Sequence, residues 1–169
     1  MKDSVILVLI NKKTGEKKVI KGENIITTAG DTYYAQKACG ESPTNNFSQL
    51  YLCTAGPTTP AKDDDYSDFT VSGGTNNPKS PESGYPKTND NDSDNTGAGV
   101  GITSWKYAYA ITDGPFTSIT HWFISKAGAS GTDPILNSYK CPSAWDKDAS
   151  SEAKVFVNHQ NLGSLDGHK

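Results

Sequence analysis

The stretch GITSWKYAYAIT, at residues 101–112, alternates large apolar side chains with small or polar ones. Successive side chains of a strand point to opposite faces. One face of this stretch carries Trp105, Tyr107, Tyr109 and Ile111, and the other carries Ser104, Lys106 and Ala108. The pattern predicts a half-buried antiparallel strand with its aromatic face in the core.

Other strands are predicted on both sides of this stretch. They cover residues 24–28, 49–54, 68–71, 118–125 and 155–158, and a hairpin is predicted over residues 4–22 around Gly15. Strands of this length and spacing predict an all-β fold, an antiparallel β-sandwich of the jelly-roll or immunoglobulin-like Greek-key type. A chain of 169 residues fits a single domain, here residues 1–169.

One short helix is predicted near residues 31–39. Thr28 or Asp31 is expected to cap its N-terminus, and Gly40 is expected to end it. Its packed face carries Tyr34, Ala35 and Ala38. This is the only helix that the sequence pattern supports.

Residues 55–99 are dominated by residues that favour turns. They include most of the prolines, the run Asp63-Asp64-Asp65 and the pair Gly73-Gly74. A segment this long costs conformational entropy to order and has little apolar surface to recover it. We therefore predict an extended arm or loop region that is functional or binds a partner.

Within this region the stretch NDNDSDNTGAGVG carries three aspartates two residues apart, Asp90, Asp92 and Asp94. An EF-hand loop is excluded, because Asn95 and Gly101 stand where such a loop needs a glycine and a bidentate glutamate. Two alternatives remain. The aspartates form turns by accepting hydrogen bonds from nearby backbone amides, or they bind calcium in a loop of another kind.

The cysteines and histidines form no recognisable catalytic or metal motif. They are Cys39, Cys53 and Cys141, and His121, His159 and His168. The cysteines are odd in number and irregular in spacing, so we expect free, buried thiols rather than disulfides or a zinc site. His121 is expected to pack within its strand. We predict no catalytic residue and no cofactor, and hence a protein that is not an enzyme.

The charge balance argues against a nucleic-acid surface. The chain has 16 basic and 19 acidic residues, a net charge of −3, and no basic cluster is expected to offset it. The apolar stretch SVILVLI, at residues 4–10, is too short for a membrane span or the core of a signal peptide. We therefore expect neither nucleic acid nor membrane as a partner, and folding in a reducing cytosol.

Several segments together resemble a known family. They are NIITTAGDTYYAQKACGE, GYPKTNDNDSDNTGAG, TSWKYAYAITDG, ITHWFIS and KVFVNHQ, and they extend over about residues 20–160. In their order and spacing they resemble small virion structural proteins of tailed bacteriophages. The resemblance implies a non-enzymatic, β-rich protein that binds the virion shell as an oligomer.

Within that family, the chain resembles head decoration or cement proteins. The resemblance implies the major capsid protein as partner, self-association as a dimer or trimer, and a place in the virion after assembly in the bacterial host cytoplasm. The expected contact segments are the hairpin at residues 4–22 and the region at 55–99, because an exposed edge or extended segment can add a strand to a partner.

Two alternative functions are left open. One is a collar, tail fibre or head–tail adaptor protein, which would be present in few copies per particle. The other is a lectin-like carbohydrate-binding module, which requires the aromatic face of Trp105, Tyr107 and Tyr109 to be exposed, since planar aromatic rings stack on sugars.

Overall fold

The structure is a computed structural model that describes residues 3–160. Within that range it contains ten strands and one α-helix, together with a short 3-10 helix at Tyr66–Asp68. The strands and the helix, in chain order, are β1 (Ser4–Asn11), β2 (Lys17–Glu23), β3 (Ile25–Ile26), α1 (Thr28–Ala38), β4 (Gln49–Ala55), β5 (Thr70–Val71), β6 (Lys87–Thr88), β7 (Ile102–Tyr109), β8 (Phe116–Ser125), β9 (Asn137–Lys147) and β10 (Ser151–Gln160).

The strands form two antiparallel sheets of five strands each. The first sheet has the order β2-β1-β10-β7-β6, and the second has the order β3-β9-β8-β4-β5. Both sheets contribute side chains to one large apolar core. The predicted all-β antiparallel sandwich is confirmed.

The aromatic face of β7 lies in the core, as its alternation predicts. Trp105 is 1% exposed, and Tyr107 and Tyr109 are also buried. Ile111 is different, because β7 ends at Tyr109 and Ile111 is 43% exposed in the turn that follows. The four-residue face predicted from the pattern is therefore a three-residue face.

The opposite face of β7 is covered at Ser104 and Lys106 and is partly open only at Ala108, so the prediction of a solvent-exposed face is wrong for the first two residues. Ser104 is fully buried, and Lys106 is only 8% exposed. The cause is a remote segment: Glu82, Asp92 and Asn95 lie over this face and bond its polar side chains. The alternation of side chains along one strand carries no information about a remote segment that covers one of its faces.

The N-terminal hairpin is confirmed. β1 and β2 pair from Ser4 opposite Glu23 to Ile10 opposite Lys17. Gly15 lies in the turn with a φ of 73°, a conformation that favours glycine.

The helix begins three residues before the predicted start. Thr27 caps it, and its Oγ1 accepts a hydrogen bond from the Gly30 N–H at 3.0 Å. Asp31, one of the expected caps, instead pairs with Lys62 at 2.6 Å. The packed face consists of Gly30, Tyr33 and Tyr34, whereas Ala38 is exposed, so the predicted face is rotated. Gly40 follows the helix with a φ of 71°, as expected of a terminator.

Two strands differ from the sequence prediction. β3 has only two residues because Thr27 turns away to cap the helix and donates its backbone N–H to the Leu136 carbonyl at 3.1 Å. β9 is absent from the prediction because its middle is polar and contains Pro142. Proline is tolerated there because β3 pairs only with Asn137 and Ser138, which leaves the rest of that edge of β9 without a partner strand in the described chain.

Residues 55–99, which we call the strap, do not project as the predicted arm. Their first part covers the outer face of the second sheet. There the ring centroids of Tyr66 and Phe69 lie 5.7 and 4.7 Å from that of Phe123. Burial of this second apolar cluster offsets the conformational entropy that the strap loses on ordering. The turn-rich composition of the strap gave no sign of such a cluster.

The middle of the strap seals the part of β4 that the two-residue strand β5 leaves unpaired. The side chain of Asn77 donates to the Leu52 carbonyl at 2.8 Å and accepts from the Leu52 N–H at 2.9 Å, as a backbone partner would. Lys79 and Leu50 exchange both of their backbone hydrogen bonds at 2.9 Å. No free edge is left along this part of β4.

Cysteine burial follows the prediction in two of three cases. Cys53 and Cys141 are buried free thiols, whereas Cys39 is free but exposed, because it lies just beyond the end of α1. Burial raises the pKa of the Cys141 thiol to about 12. Within residues 3–160 no helix has the length and apolarity needed to cross a membrane.

Candidate functional site

The last part of the strap places its three aspartates over the outer face of the first sheet. The Asp92 N–H donates to Asp90 Oδ1 at 3.2 Å, and the Asp94 N–H donates to Asp92 Oδ1 at 3.0 Å. Asp90 and Asp92 therefore each form a turn with the residue two positions further on, as one of the two predicted alternatives requires, whereas both oxygens of Asp94 bond lysines.

The carboxylates of Asp92 and Asp94 face three lysines from neighbouring strands. Lys106 on β7 lies 2.9 Å from Asp92, and Lys154 on β10 lies 3.1 Å from Asp94 and 3.6 Å from Asp92. Lys17 on β2 also pairs with Asp94. We call this arrangement the clasp, since it fastens the strap across the sheet.

The clasp holds its carboxylates in the charged form. At Asp92, desolvation works against the charge, but the Asp94 amide and Lys106 outweigh it and lower the pKa. At Asp94, the hydrogen bond from Lys17 is the largest influence and lowers the pKa. These lysines supply the positive charge that a calcium ion would otherwise bring. In the described part of the chain, no group of three or more metal-ligating side chains is arranged to hold a metal ion.

Asp90 is held differently from the other two. It accepts hydrogen bonds from the Tyr85 hydroxyl at 2.7 Å and from Asn95 Nδ2 at 2.9 Å, and Lys87 lies 3.5 Å away. Desolvation works against the charged form, but the hydrogen bonds from Asn95 and Tyr85 outweigh it and lower the pKa of Asp90.

Asn95 anchors the loop to the sheet. Its amide and that of Asn158 on β10 exchange two hydrogen bonds, at 3.0 and 2.8 Å, and both groups are buried. Ser104 donates to the same Asn158 oxygen at 2.6 Å. The residue that replaces the EF-hand glycine is therefore the one that fixes this loop, a role visible in the sequence only as an asparagine in a polar run.

A second anchor lies at the turn between β7 and β8. Asp113 accepts from Lys79 at 2.8 Å and from the Ala110 N–H at 2.9 Å, and it is also bonded by Asn76. Desolvation opposes the charge, but Lys79 and Asn76 outweigh it and lower the pKa of Asp113. The strap is thus tied to the body by charges at its middle as well as at its end.

His159 belongs to a buried hydrogen-bonded chain. Its Nδ1 lies 2.5 Å from the Tyr34 hydroxyl, which also accepts from Trp105 Nε1 at 2.9 Å, and its Nε2 lies 2.9 Å from the Asn24 amide. Burial lowers the pKa of His159 to about 3, so the ring is neutral. This chain joins α1 to the end of β10.

A cavity of about 440 Å³ opens between α1 and the β6–β7 pair, beside this buried chain. Its lining consists of Tyr33, Tyr34, Lys37, Ala38, Pro86, Thr103 and Trp105. The polar atoms of Tyr34 and Trp105 already bond each other. The aromatic side chains here serve the core, and Trp105 does not present an open ring face of the kind that stacks on sugars.

The remaining histidines are His121 and His168. His121 is buried, with Nε2 2.9 Å from the Pro57 carbonyl and Nδ1 2.7 Å from the Thr120 hydroxyl, and its ring packs on Phe69. It is a packing residue, as predicted. His168 lies outside the described residues.

Some edge strands of the sandwich are covered by the strap, and others are not. The strap covers β4 and β7, since Glu82 donates to the Lys106 carbonyl at 2.8 Å and β6 pairs with β7. On the opposite side, β2 pairs with β1 and with no other strand in the described chain. We call the unpaired side of β2 the open edge.

The open edge is locally basic, although the net charge of the chain is negative. The hairpin contains five lysines and two glutamates, namely Lys12, Lys13, Lys17, Lys18 and Lys21, with Glu16 and Glu23. The expectation that no basic cluster exists is therefore wrong for this hairpin. Val19, in the middle of β2, is an exposed apolar side chain at 46%.

No family model, curated protein or solved structure matches this chain.

Proposed function

We propose that this protein is a non-enzymatic structural component of a tailed-phage virion, of the head decoration or cement type. It binds the major capsid protein through the open edge of β2. The observation that carries the proposal is the inequality of the edges. On one side of the sandwich the strap (55–99) covers the edges of β4 and β7, while on the other side the seven-residue β2 pairs with β1 along one edge and with no strand of the described chain along its other edge.

An unpaired strand edge suits attachment to another protein. It offers a row of backbone donors and acceptors that a partner strand can satisfy. The basic hairpin adds charge that steers an acidic partner toward it. These properties support a binding role and call for no catalytic group.

The internal fastening of the domain fits the same role. A protein that reinforces a shell bears part of the mechanical load on that shell. Its own loops therefore have to be held firmly to the domain. The clasp, the Asn95–Asn158 pair and the Asp113 anchor fix the strap at three places. Buried polar pairs of this kind are costly to break once formed.

The stabilisation follows from mass action. A protein that binds only the assembled shell lowers the free energy of that state by an amount that grows with the ratio of its concentration to its dissociation constant. Symmetric self-association, as a dimer or trimer, strengthens this effect because local axes of the shell present repeated sites, and linked contacts bind together more tightly.

The test starts with purified particles of the phage whose genome encodes the chain. Quantitative mass spectrometry gives the copy number per particle, and heating gives the temperature of genome release with and without the protein. We expect copies on the order of hundreds and a lower release temperature in its absence.

Two outcomes contradict the proposal. Absence of the protein from purified particles would refute a virion role altogether. About a dozen copies or fewer, with no effect on heat release, would favour the collar, tail fibre or adaptor alternative. The lectin alternative is not pursued, because the face of Trp105, Tyr107 and Tyr109 lies in the core.

A further inference from the structure

The open edge has a defined chemical pattern. On β2, Ile20 points into the core, whereas Val19 lies on the outer face of the first sheet, across from Val8 of β1. Because strand side chains alternate, Lys17 and Lys21 share the outer face with Val19. A strand added beside β2 therefore meets one exposed valine between two lysines.

The positive charge of this edge is only partly compensated within the chain. Lys17 pairs with Asp94, Lys21 donates to the Thr96 hydroxyl at 3.0 Å, and Lys12 pairs with Glu152 at 3.6 Å. Lys13 and Lys18 are exposed, and neither has a carboxylate within salt-bridge distance among residues 3–160. The edge thus retains free positive charge on a chain whose net charge is negative.

These charges discriminate between possible occupants. If β2 of a second copy paired here, lysines of one edge would lie beside lysines of the other, and like charges in neighbouring strands repel. The same lysines attract carboxylates at matching positions. The lysines of β2 therefore favour pairing with an acidic strand and disfavour pairing with the β2 strand of a second copy.

We infer that the open edge of β2 takes up an extended acidic segment of a partner protein as an additional strand of the first sheet. The pattern that fits has an apolar residue beside Val19 and a carboxylate two positions away on each side, beside Lys17 and Lys21, whose ammonium groups have donors left beyond their bonds to Asp94 and Thr96. In the virion this segment would belong to the capsid protein. That biological identification rests on the proposed function, whereas the chemistry of the edge does not.

The probe is a short blocked peptide with this pattern, Thr-Glu-Thr-Val-Thr-Glu-Thr, titrated into the full-length protein labelled with ¹⁵N at low salt. The matched peptide carries lysine in place of both glutamates. We expect saturable shifts in the backbone amides of residues 17–23 with the acidic peptide, and about tenfold weaker binding of the lysine peptide. Added salt should weaken the acidic complex, because the contacts are exposed to solvent.

Two double variants test the charges. Lys13→Glu with Lys18→Glu reverses the free charges of the hairpin, and we expect it to weaken binding of the acidic peptide about tenfold. Lys37→Glu with Lys126→Glu makes the same change in net charge at the other end of the strands and should bind like the wild type. Thermal melting of both variants checks that they remain folded.

The outcomes separate the two proposals. Equal binding of both peptides, shifts confined to other strands, or unchanged binding in the hairpin variant would overturn the acidic-strand inference. Concentration-dependent shifts of residues 17–23 without peptide would overturn it in favour of a second copy. If the peptide results hold but purified particles lack the protein, the virion proposal fails alone. If particles contain the protein and the hairpin variant still decorates them, the inference and the attachment through the open edge fail, while the virion role stands.

Discussion

Replacing Lys106 by methionine tests whether the clasp stabilises the fold. The substitution keeps an apolar side chain of similar length and removes the ammonium group, which bonds Glu82 at 2.7 Å and Asp92 at 2.9 Å and lies 6.0 Å from the centre of the Phe156 ring. A hydrogen bond to a charged group contributes about 1.5–3 kcal/mol. The Glu82 contact counts for less, because that carboxylate is half-exposed and regains water.

The expected loss is about 2 kcal/mol, because Asp92 keeps Lys154 at 3.6 Å as its remaining cation. For a chain of this length, this corresponds to a melting temperature lower by about 4–8 °C. Urea unfolding should show a lower midpoint with an unchanged slope. Hydrogen exchange should quicken at residues 90–97 more than in the core strands. Lys37→Met, on the exposed side of α1, is the matched control and should change stability by less than about 0.5 kcal/mol.

The pH dependence has a defined sign. The pKa of Asp92 is lower in the folded protein than its ordinary value of 3.8. Its contribution is therefore fully present above that ordinary value, and it is lost as the pH falls through the lower, folded value. The difference in stability between the wild type and Lys106→Met should be constant from neutral pH down to about 4 and should shrink below it.

A double-mutant cycle with Asp92→Asn isolates the pair. The asparagine keeps an oxygen for the Asp94 N–H but loses the charge that faces Lys106. We expect a coupling energy of about 1 kcal/mol or more between the two positions. A melting temperature unchanged in Lys106→Met, or a coupling near zero, would refute the idea that the clasp stabilises the domain.

Three further predictions concern close contacts and metal binding. Gly22→Ala should cost about 1–3 kcal/mol in thermal or urea unfolding, since its Cβ would lie 2.4 Å from the Tyr139 hydroxyl; normal stability would show that the ring has room to move. Asn95→Ala should cost about 2 kcal/mol, because the buried Asn158 amide loses both bonds from Asn95; a cost near zero would mean that water replaces it. Calcium at about 1 mM should leave the melting temperature unchanged, because lysines occupy the aspartate cluster; a rise that Asp92→Ala abolishes would restore the calcium interpretation.

The strands that decide the fold were predictable because their signal is local. Alternation in β7 and a glycine turn between β1 and β2 identify a half-buried strand and a hairpin without any knowledge of the rest of the chain. The same locality explains the error at Lys106. Its partners Glu82 and Asp92 lie outside the strand, and periodicity contains no information on what covers a face from a distance.

The boundary errors have a similar origin. Thr27, rather than Thr28 or Asp31, caps the helix because the backbone of Leu136, more than a hundred residues later, accepts its N–H. The polar strand β9 is fixed by its neighbour β8, not by its own composition. For the candidate site, the turn-forming role of Asp90 and Asp92 was predictable from the spacing of the aspartates, whereas the role of Asp94 as a partner of lysines was not. Two other features could be found only from the strand order: the lysines that face these aspartates, and the edge of β2 that has no partner strand in the described chain.

The strand order of the first sheet also constrains when this protein can fold. β10 lies between β1 and β7, and Ser4 is paired with Asn158 across almost the whole length of the chain. During synthesis β1 and β7 have no common neighbour until residues 151–160 leave the ribosome, so the sheet closes late and through contacts of high sequence separation. Until then β1 and β7 each have one edge without its partner strand, and a truncation before Ser151 removes the middle of the sheet rather than its margin. Production of the protein should therefore depend on completed chains and on chaperones that shield the nascent one.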